Sequence, residues 1–355
     1  MQVSTNVKAL FSKARLLNTG FPTVILSESE LYAILILICD DLGFQASELG
    51  LPSPQCESPT NDYYSLPADW FRSHANAPDA KTLQLAVALG IEKDRDFELY
   101  FGNLCSLHKR RLKFQRILSC QPIPTMDQVG TRSMLEYGSY SNKFLFNWLL
   151  WRKWIFDVDN RSGQETGYLF EPILANSLGG TPVNAKKSPV KRRDAVGNPL
   201  SGGRQIDCYA GDENLAYEFK IRLTIAASGQ GRWSEELSFP RECVAAGIKP
   251  VLIVLDPTTS NRLVELTKVF LEVGGLVYVG DDAWSHIKER AGRTMAKFME
   301  KYVRPALDQA KDFDPAELDT LSLTWTSSAI TVRIGDDQRV ITRDTDENCV
   351  SEEES

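Results

Sequence analysis

Several kinds of chemistry are under-supplied in this sequence. Only three histidines occur in 355 residues, at positions 74, 108 and 286, and they do not cluster. No Ser/His/Asp or Cys/His constellation is visible, so nucleophilic catalysis of the protease type has no support. The seven cysteines (39, 56, 105, 120, 208, 243 and 349) are odd in number, and no two have CxxC spacing. A disulfide framework and a Cys-rich zinc site are therefore not expected, and Cys105 with His108 supplies at best half a metal site. Reduced cysteines fit a cytoplasmic protein. Long apolar runs are also missing. The longest, LYAILILIC from Leu31 to Cys39, is too short to span a bilayer and runs directly into Asp40 and Asp41. The start of the chain shows no signal-peptide core, so no membrane partner and a cytoplasmic location are expected.

What is present is an ordinary globular composition, 43% hydrophobic and 25% charged, long enough for one large domain or two. A net charge of −7 argues against a non-specific nucleic-acid coat protein. The charge is nonetheless uneven. Lys186 to Arg204 and His108 to Arg116 are basic, while the tail from Asp344 to Ser355 is acidic.

Residues 1–125 read as a mainly helical region with a recognition or scaffold role. Leu31–Cys39 is a buried helix or strand, and Ala80–Ile91 a short apolar helix closed by Gly90. Phe144, Trp148, Trp151 and Trp154 recur at helical spacing, which favours core packing over base stacking. A second helix follows, with Ser162 as cap and Glu165 in the capping-box position, up to Gly179-Gly180. A glycine loop, a helix broken at Pro240 and the all-apolar strand PVLIVLD come next. A helix, the strand GLVYVG and one long helix over 282–307 complete an α/β layer around a central mixed sheet flanked by helices. The expected division is a core over 126–310, a β-meander over 311–340 turning at Gly335-Asp336-Asp337, and a disordered acidic tail over 341–355. No internal repeats are seen.

The informative stretch is RQIDCYAGDENLAYEFKIR, Arg204 to Arg222. In a strand, side chains alternate faces. Leu215, Tyr217, Phe219, Ile221 and Leu223 share one face, and Glu218, Lys220 and Arg222 share the other. AGDEN is rich in turn formers, so RQIDCY and LAYEFK form a hairpin that can bring Asp207 near Glu218. Converging carboxylates repel unless a cation or proton is present. Oxygen ligands favour a hard ion such as Mg2+, and a neighbouring lysine can orient water and stabilise charge on a phosphorus centre. The plain alternative is a solvent-facing strand with an ordinary Glu–Lys pair. Three features weigh against it: the strand's place inside an α/β segment, the basic loop leading into it, and the flanking helices with Glu171 on one side and Arg232, Glu235 and Glu236 on the other.

With the upstream helix RSGQETGYLFEPIL, the helix RWSEEL and the strand PVLIVLD, these motifs resemble the PD-(D/E)xK nuclease core. In detail they resemble a type II restriction endonuclease, and the whole-chain character is similar to the CfrBI-like group. The resemblance implies that Asp207, Glu218 and the Phe219 backbone carbonyl are metal ligands, that Lys220 is the catalytic lysine, and that Mg2+ is the cofactor. It matches Glu171 to the acidic position of the family's first core helix. Ile206 stands where the motif has proline, which lowers pattern specificity without touching a ligand. The resemblance also implies double-stranded DNA as partner, a homodimer, and a cognate DNA methyltransferase in the same system.

In such a nuclease Lys186, Lys187, Lys191, Arg192, Arg193, Arg204 and Arg232 are the candidate DNA contacts. Tyr140, Ser141 and Asn142 are weaker candidates for base reading. GQGRWS at Gly229–Ser234 could be a dinucleotide loop, but it lacks the third glycine, and the preceding strand is charged. A repair nuclease with the same core, a non-catalytic DNA-binding regulator and a nucleotide-binding enzyme are the competing expectations.

Overall fold

The computed structural model describes residues 3–17, 23–55, 57–129, 141–194, 196–220, 230–256, 259–308 and 318–344; the side chains of 142, 164–169, 230–232 and 306–307 lie outside the description. The chain divides into two units, Met1–Gly167 with Ala306–Ser355, and Tyr168–Pro305.

The first unit is built on helices α1 (Thr5–Arg15), α2 (Glu28–Leu42), α3 (Ala80–Lys93) and α4 (Phe97–Cys120), with most of α5 (Asn142–Ser177). Ser27 and Glu30 start α2 with a reciprocal capping box, and Gly43 ends it at φ 74°. Every residue from Leu31 to Cys39 is buried, so this run is a core helix. Helix α3 passes through Gly90 rather than stopping there. The glycine serves packing instead, because a Cβ would collide with the Phe97 ring. The basic run from His108 is largely interior. His108, Lys109 and Lys113 are buried, and Lys109 Nζ donates to the Lys13 and Leu16 carbonyls at the end of α1.

Helix α5 is continuous through Ser162. The Ser162 hydroxyl donates to the Val158 carbonyl at 2.7 Å, so it caps nothing, and Glu165, inside the helix, has no N-terminus to serve. The aromatic face is divided. Leu145, Leu149 and Trp154 are buried, with Trp154 Nε1 donating to Gln121, whereas Phe144 and Trp148 are 56% and 48% exposed. An antiparallel meander of Leu321–Trp325, Ala329–Ile334 and Asp337–Thr342 turns at Gly335. Among the described residues no helix is long and apolar enough to cross a membrane.

The second unit is an α/β layer. Its strands are β1 (Thr181–Val183), the hairpin β2 (Lys191–Arg193) and β3 (Pro199–Gly203), then β4 (Ile206–Ala210), β5 (Leu215–Lys220), β6 (Lys249–Val254) and β7 (Leu276–Val279). The five-stranded sheet has the order β1-β4-β5-β6-β7. Its first two pairings are antiparallel and its last two parallel, so it is mixed. The parallel steps are crossed by α6 (Gln230–Ala245) and α7 (Asn261–Glu272), and α8 (Asp281–Arg290) follows. Strand β6 is paired on both edges, and its residues from Pro250 to Val254 are buried, which explains its unbroken apolar run. The core gathers Ile206, Ala216, Leu252 and Val254 with Phe239 and Cys243 of α6 and Leu266 and Phe270 of α7.

Two expectations are corrected here. Pro240 does not break α6: it removes one backbone donor, and Phe239 and Cys243 hold the helix to the core across it. The expected long helix over 282–307 is interrupted after Arg290, where Gly292 takes φ 69°. The basic loop also has structure of its own, the β2–β3 hairpin, closed by Asp194, whose carboxylate accepts from Val196 N and Asn198 N.

Candidate active site

The β4–β5 hairpin sets the site. Cys208 pairs with Tyr217, Tyr209 with Ala216 and Ala210 with Leu215. Asn214 makes the turn at φ 57°, a conformation open to few residues other than Asn, Asp and Gly. Strict alternation from the Cys208–Tyr217 pair puts Asp207 and Glu218 on one face. Where the ladder ends, the Phe219 amide donates to Asp207 Oδ2 at 2.8 Å. A strand residue's N–H and C=O point to the same side, so the Phe219 carbonyl is directed towards that edge too. Two residues along, Lys220 Nζ lies 2.9 Å from Glu218 Oε1 and 3.2 Å from Glu236 Oε1 on α6.

The electrostatics are lopsided. Burial, and then the charges of Glu218 and Glu171, push the Asp207 carboxyl well above its ordinary value, against the Phe219 amide and Lys220. Burial and Glu218 likewise push Glu171 up, against Lys220. Burial alone would lower Lys220, but Glu218 and Glu236 outweigh it and hold the ammonium above its ordinary value. Asp207, Glu218, Glu171 and Glu236 thus share one ammonium. The structure brings Asp207, Glu218, Lys220 and Glu171 into one electrostatic neighbourhood. Glu236 is the member that sequence reasoning did not assign to the site. Its position was visible as part of RWSEEL, but helix phase alone did not say whether Glu235 or Glu236 faces the strand.

The donor set suits a hard divalent cation, being oxygen only and in excess of its counter-charge. Among the described residues no three His, Cys, Asp or Glu side chains are arranged to hold a metal by themselves. A small cation would therefore take Asp207 and Glu218, with the Phe219 carbonyl, water and substrate oxygens completing the shell.

The basic candidates separate. Lys186, Lys187 and Lys191 are exposed. Arg192 Nη1 is bonded to Glu235 Oε1 at 2.9 Å, and Arg193 Nη1 donates to the Gly197 carbonyl. Arg204 is buried: its Nε meets Glu242 Oε2 at 2.7 Å and its Nη2 donates to the Glu235 carbonyl. That side chain braces the hairpin against α6 and is not presented to a ligand. Ser141 is exposed. The side chains of Asn142 and Arg232, and the whole of Tyr140, Arg222 and Gly229, lie outside the described residues. Gly231 falls in the first turn of α6.

Comparison with known proteins decides the family. Residues 59–304 match the model of the ApaLI-like restriction endonucleases. The chain is also 40% identical, over 345 residues, to the type II restriction enzyme ApaLI of Acetobacter pasteurianus, covering 92% of this chain and 91% of that one. The chain belongs to the ApaLI-like restriction endonuclease family. The matching model is thus ApaLI-like rather than the CfrBI-like group to which the sequence pointed. No solved structure matches the chain. The region matched to the ApaLI-like model contains every residue of the carboxylate–lysine cluster.

Proposed function

We propose that this ApaLI-like protein is a type II site-specific deoxyribonuclease that hydrolyses double-stranded DNA at the Asp207–Glu218–Lys220 cluster. The observation that carries the reading is Asp207, fixed by the Phe219 amide beside Glu218 and Lys220 at the end of the sheet's hairpin. Its order and spacing resemble the PD-(D/E)xK nuclease motif, which supports the reading. Mg2+ is the proposed cation, and when bound it would neutralise the carboxylates and supply Lewis-acid stabilisation of the scissile phosphate.

The protein's own groups divide the work. Asp207 and Glu218 present oxygens from adjacent strands, and their backbone is fixed by the hairpin, so little reorganisation is needed. Lys220 Nζ, held charged by its two carboxylate neighbours, donates hydrogen bonds to the attacking water or a phosphate oxygen and offsets the growing negative charge. Glu171 adds negative charge from α5 and orients water at the edge of the cluster. Lys186, Lys187 and Lys191 position the duplex through its phosphates. In-line attack leaves a 5′-phosphate and a 3′-hydroxyl. Cutting both strands of a symmetric site calls for two copies of the cluster, hence a homodimer. A cognate DNA methyltransferase and a cytoplasmic location complete the proposed restriction system.

The test is incubation of purified protein with phage DNA and Mg2+, and in parallel with EDTA. Discrete fragments bearing 5′-phosphates, formed only with Mg2+, are expected. A smear indicates a less selective nuclease, and no cutting in either condition overturns the proposal.

A further inference from the structure

Glu218 carries two duties in the proposed site. It offers an oxygen to the cation, and its Oε1 also anchors Lys220 Nζ. A divalent cation draws the carboxylate's charge towards itself, and a lysine on a flexible four-carbon stem would then lose its anchor. The structure contains a second one. Glu236 Oε1 lies 3.2 Å from the same nitrogen, in a contact sheltered enough to leave Lys220 only 19% and Glu236 29% exposed.

The placement of Glu236 is itself over-determined. Residues seven apart lie on nearly the same helix face. Glu235 and Glu242 form one such stripe, and both engage the β2–β3 side: Glu235 meets Arg192 and Arg204, and Glu242 meets Arg204 and the Arg193 amide. Glu236 and Cys243 form the neighbouring stripe, and Cys243 is buried in the core beneath the sheet. Anchored on one stripe by arginines and on the other by the core, α6 cannot rotate, so Glu236 is delivered to Lys220 at a fixed phase.

We propose that Glu236 is a positioning residue for Lys220, holding its ammonium in place for cleavage when Glu218 engages the cation. The proposal rests on the nuclease reading of the cluster and assigns a residue outside the Asp207–Glu218–Lys220 motif. Glu236 keeps Nζ next to the scissile phosphate and touches neither cation nor DNA.

The test is single-turnover cleavage by the full chain, with DNA affinity and the Mg2+ concentration for half-maximal rate measured alongside. Glu236→Ala is expected to slow cleavage by about ten- to a hundredfold, the scale of a misplaced catalytic group, while DNA affinity and the Mg2+ midpoint stay at their wild-type values. Glu236→Gln, which keeps an oxygen acceptor in the same place, should recover part of the rate, and it remains informative should Glu236→Ala fold poorly. Combining Glu236→Ala with Lys220→Ala should reduce the rate no further than Lys220→Ala alone. A wild-type rate in Glu236→Ala beside an inactive Lys220→Ala overturns the proposal and leaves the nuclease site standing. So does a raised Mg2+ midpoint, which makes Glu236 a cation ligand, or additive losses in the double variant. Wild-type cleavage by Lys220→Ala instead removes the reading of the site itself.

Discussion

Two carboxylates, buried Glu30 in the helical unit and half-buried Asp207 in the α/β unit, sit in opposite electrostatic settings. Glu30, in the helical unit, is 3% exposed. Burial pushes its carboxyl up, but contacts from His108, the Ser27 amide and Arg72 outweigh this and bring it down to about 2. The Ser27 amide at 2.8 Å and Arg72 Nε at 3.0 Å are the decisive partners, since His108 Nε2 is 3.9 Å away and its own burial disfavours its charge. Asp207, in the α/β unit, has one amide donor, and its main neighbours are two other carboxylates. A buried acid ringed by donors is a fastening. A half-buried acid beside other acids lacks that compensation, which is what the proposed cation would supply. The same contrast recurs within the α/β unit, where Arg204, Arg192, Glu235 and Glu242 pair off across the hairpin while the neighbouring cluster keeps its surplus.

The two settings should fail differently. Asp207→Ala, Glu218→Ala or Lys220→Ala should fold normally by circular dichroism and lose about a thousandfold or more in cleavage rate. Normal cutting by any of the three would erase the distinction. At the clamp the loss falls on folding. Arg204→Ala leaves the buried Glu242 carboxylate without its arginine, with the Arg193 amide still bonded to it, so denaturant unfolding should show about 3–5 kcal/mol less stability. A stable, folded Arg204→Ala would mean that the arginine is not a fastening.

The pH dependence of stability sharpens the contrast, because the signs differ. Glu30 is lowered on folding from 4.5 to about 2, so its contribution is present above about 4.5 and is lost as pH falls towards 2. Glu30→Gln should therefore weaken the protein at neutral pH and flatten that acid limb. Asp207 and Glu171 are raised on folding from 3.8 and 4.5, so their contribution is present below those values and is lost as pH rises through the folded ones. Metal-free Asp207→Asn should accordingly be more stable than wild type at neutral pH. The smallest effect belongs to the exposed lysines. Replacing Lys186, Lys187 and Lys191 by Gln should reduce the slope of log affinity against log salt by about one for each phosphate no longer neutralised.

Local patterns were readable where a single periodicity decided them. Alternation in LAYEFK placed Glu218 and Lys220 on one face, and the apolar run of PVLIVLD marked a strand buried on both faces. What sequence could not resolve depends on distant partners. Pro240 looks like a helix stop until Phe239 and Cys243 are seen packed into the core. Gly90 looks like a cap until Phe97 is found against it. Lys109 and Arg204 look like parts of a basic surface, yet one caps α1 and the other is buried against Glu242. In each case long-range packing reassigned a residue whose local signal was unambiguous. Glu236 escaped for the same reason, because only the tertiary placement of α6 tells it from Glu235.

In the proposed site, the surplus of carboxylates around Asp207 is what draws the cation. The most direct measurement is thermal unfolding of wild type and Asp207→Asn with and without Mg2+, paired with DNA cleavage by the same samples. Mg2+ should raise the wild-type Tm, Asp207→Asn should start higher without metal and gain less from it, and only the wild type should cut. An Asp207→Asn variant that cuts DNA and responds to Mg2+ as the wild type does would contradict that role of Asp207.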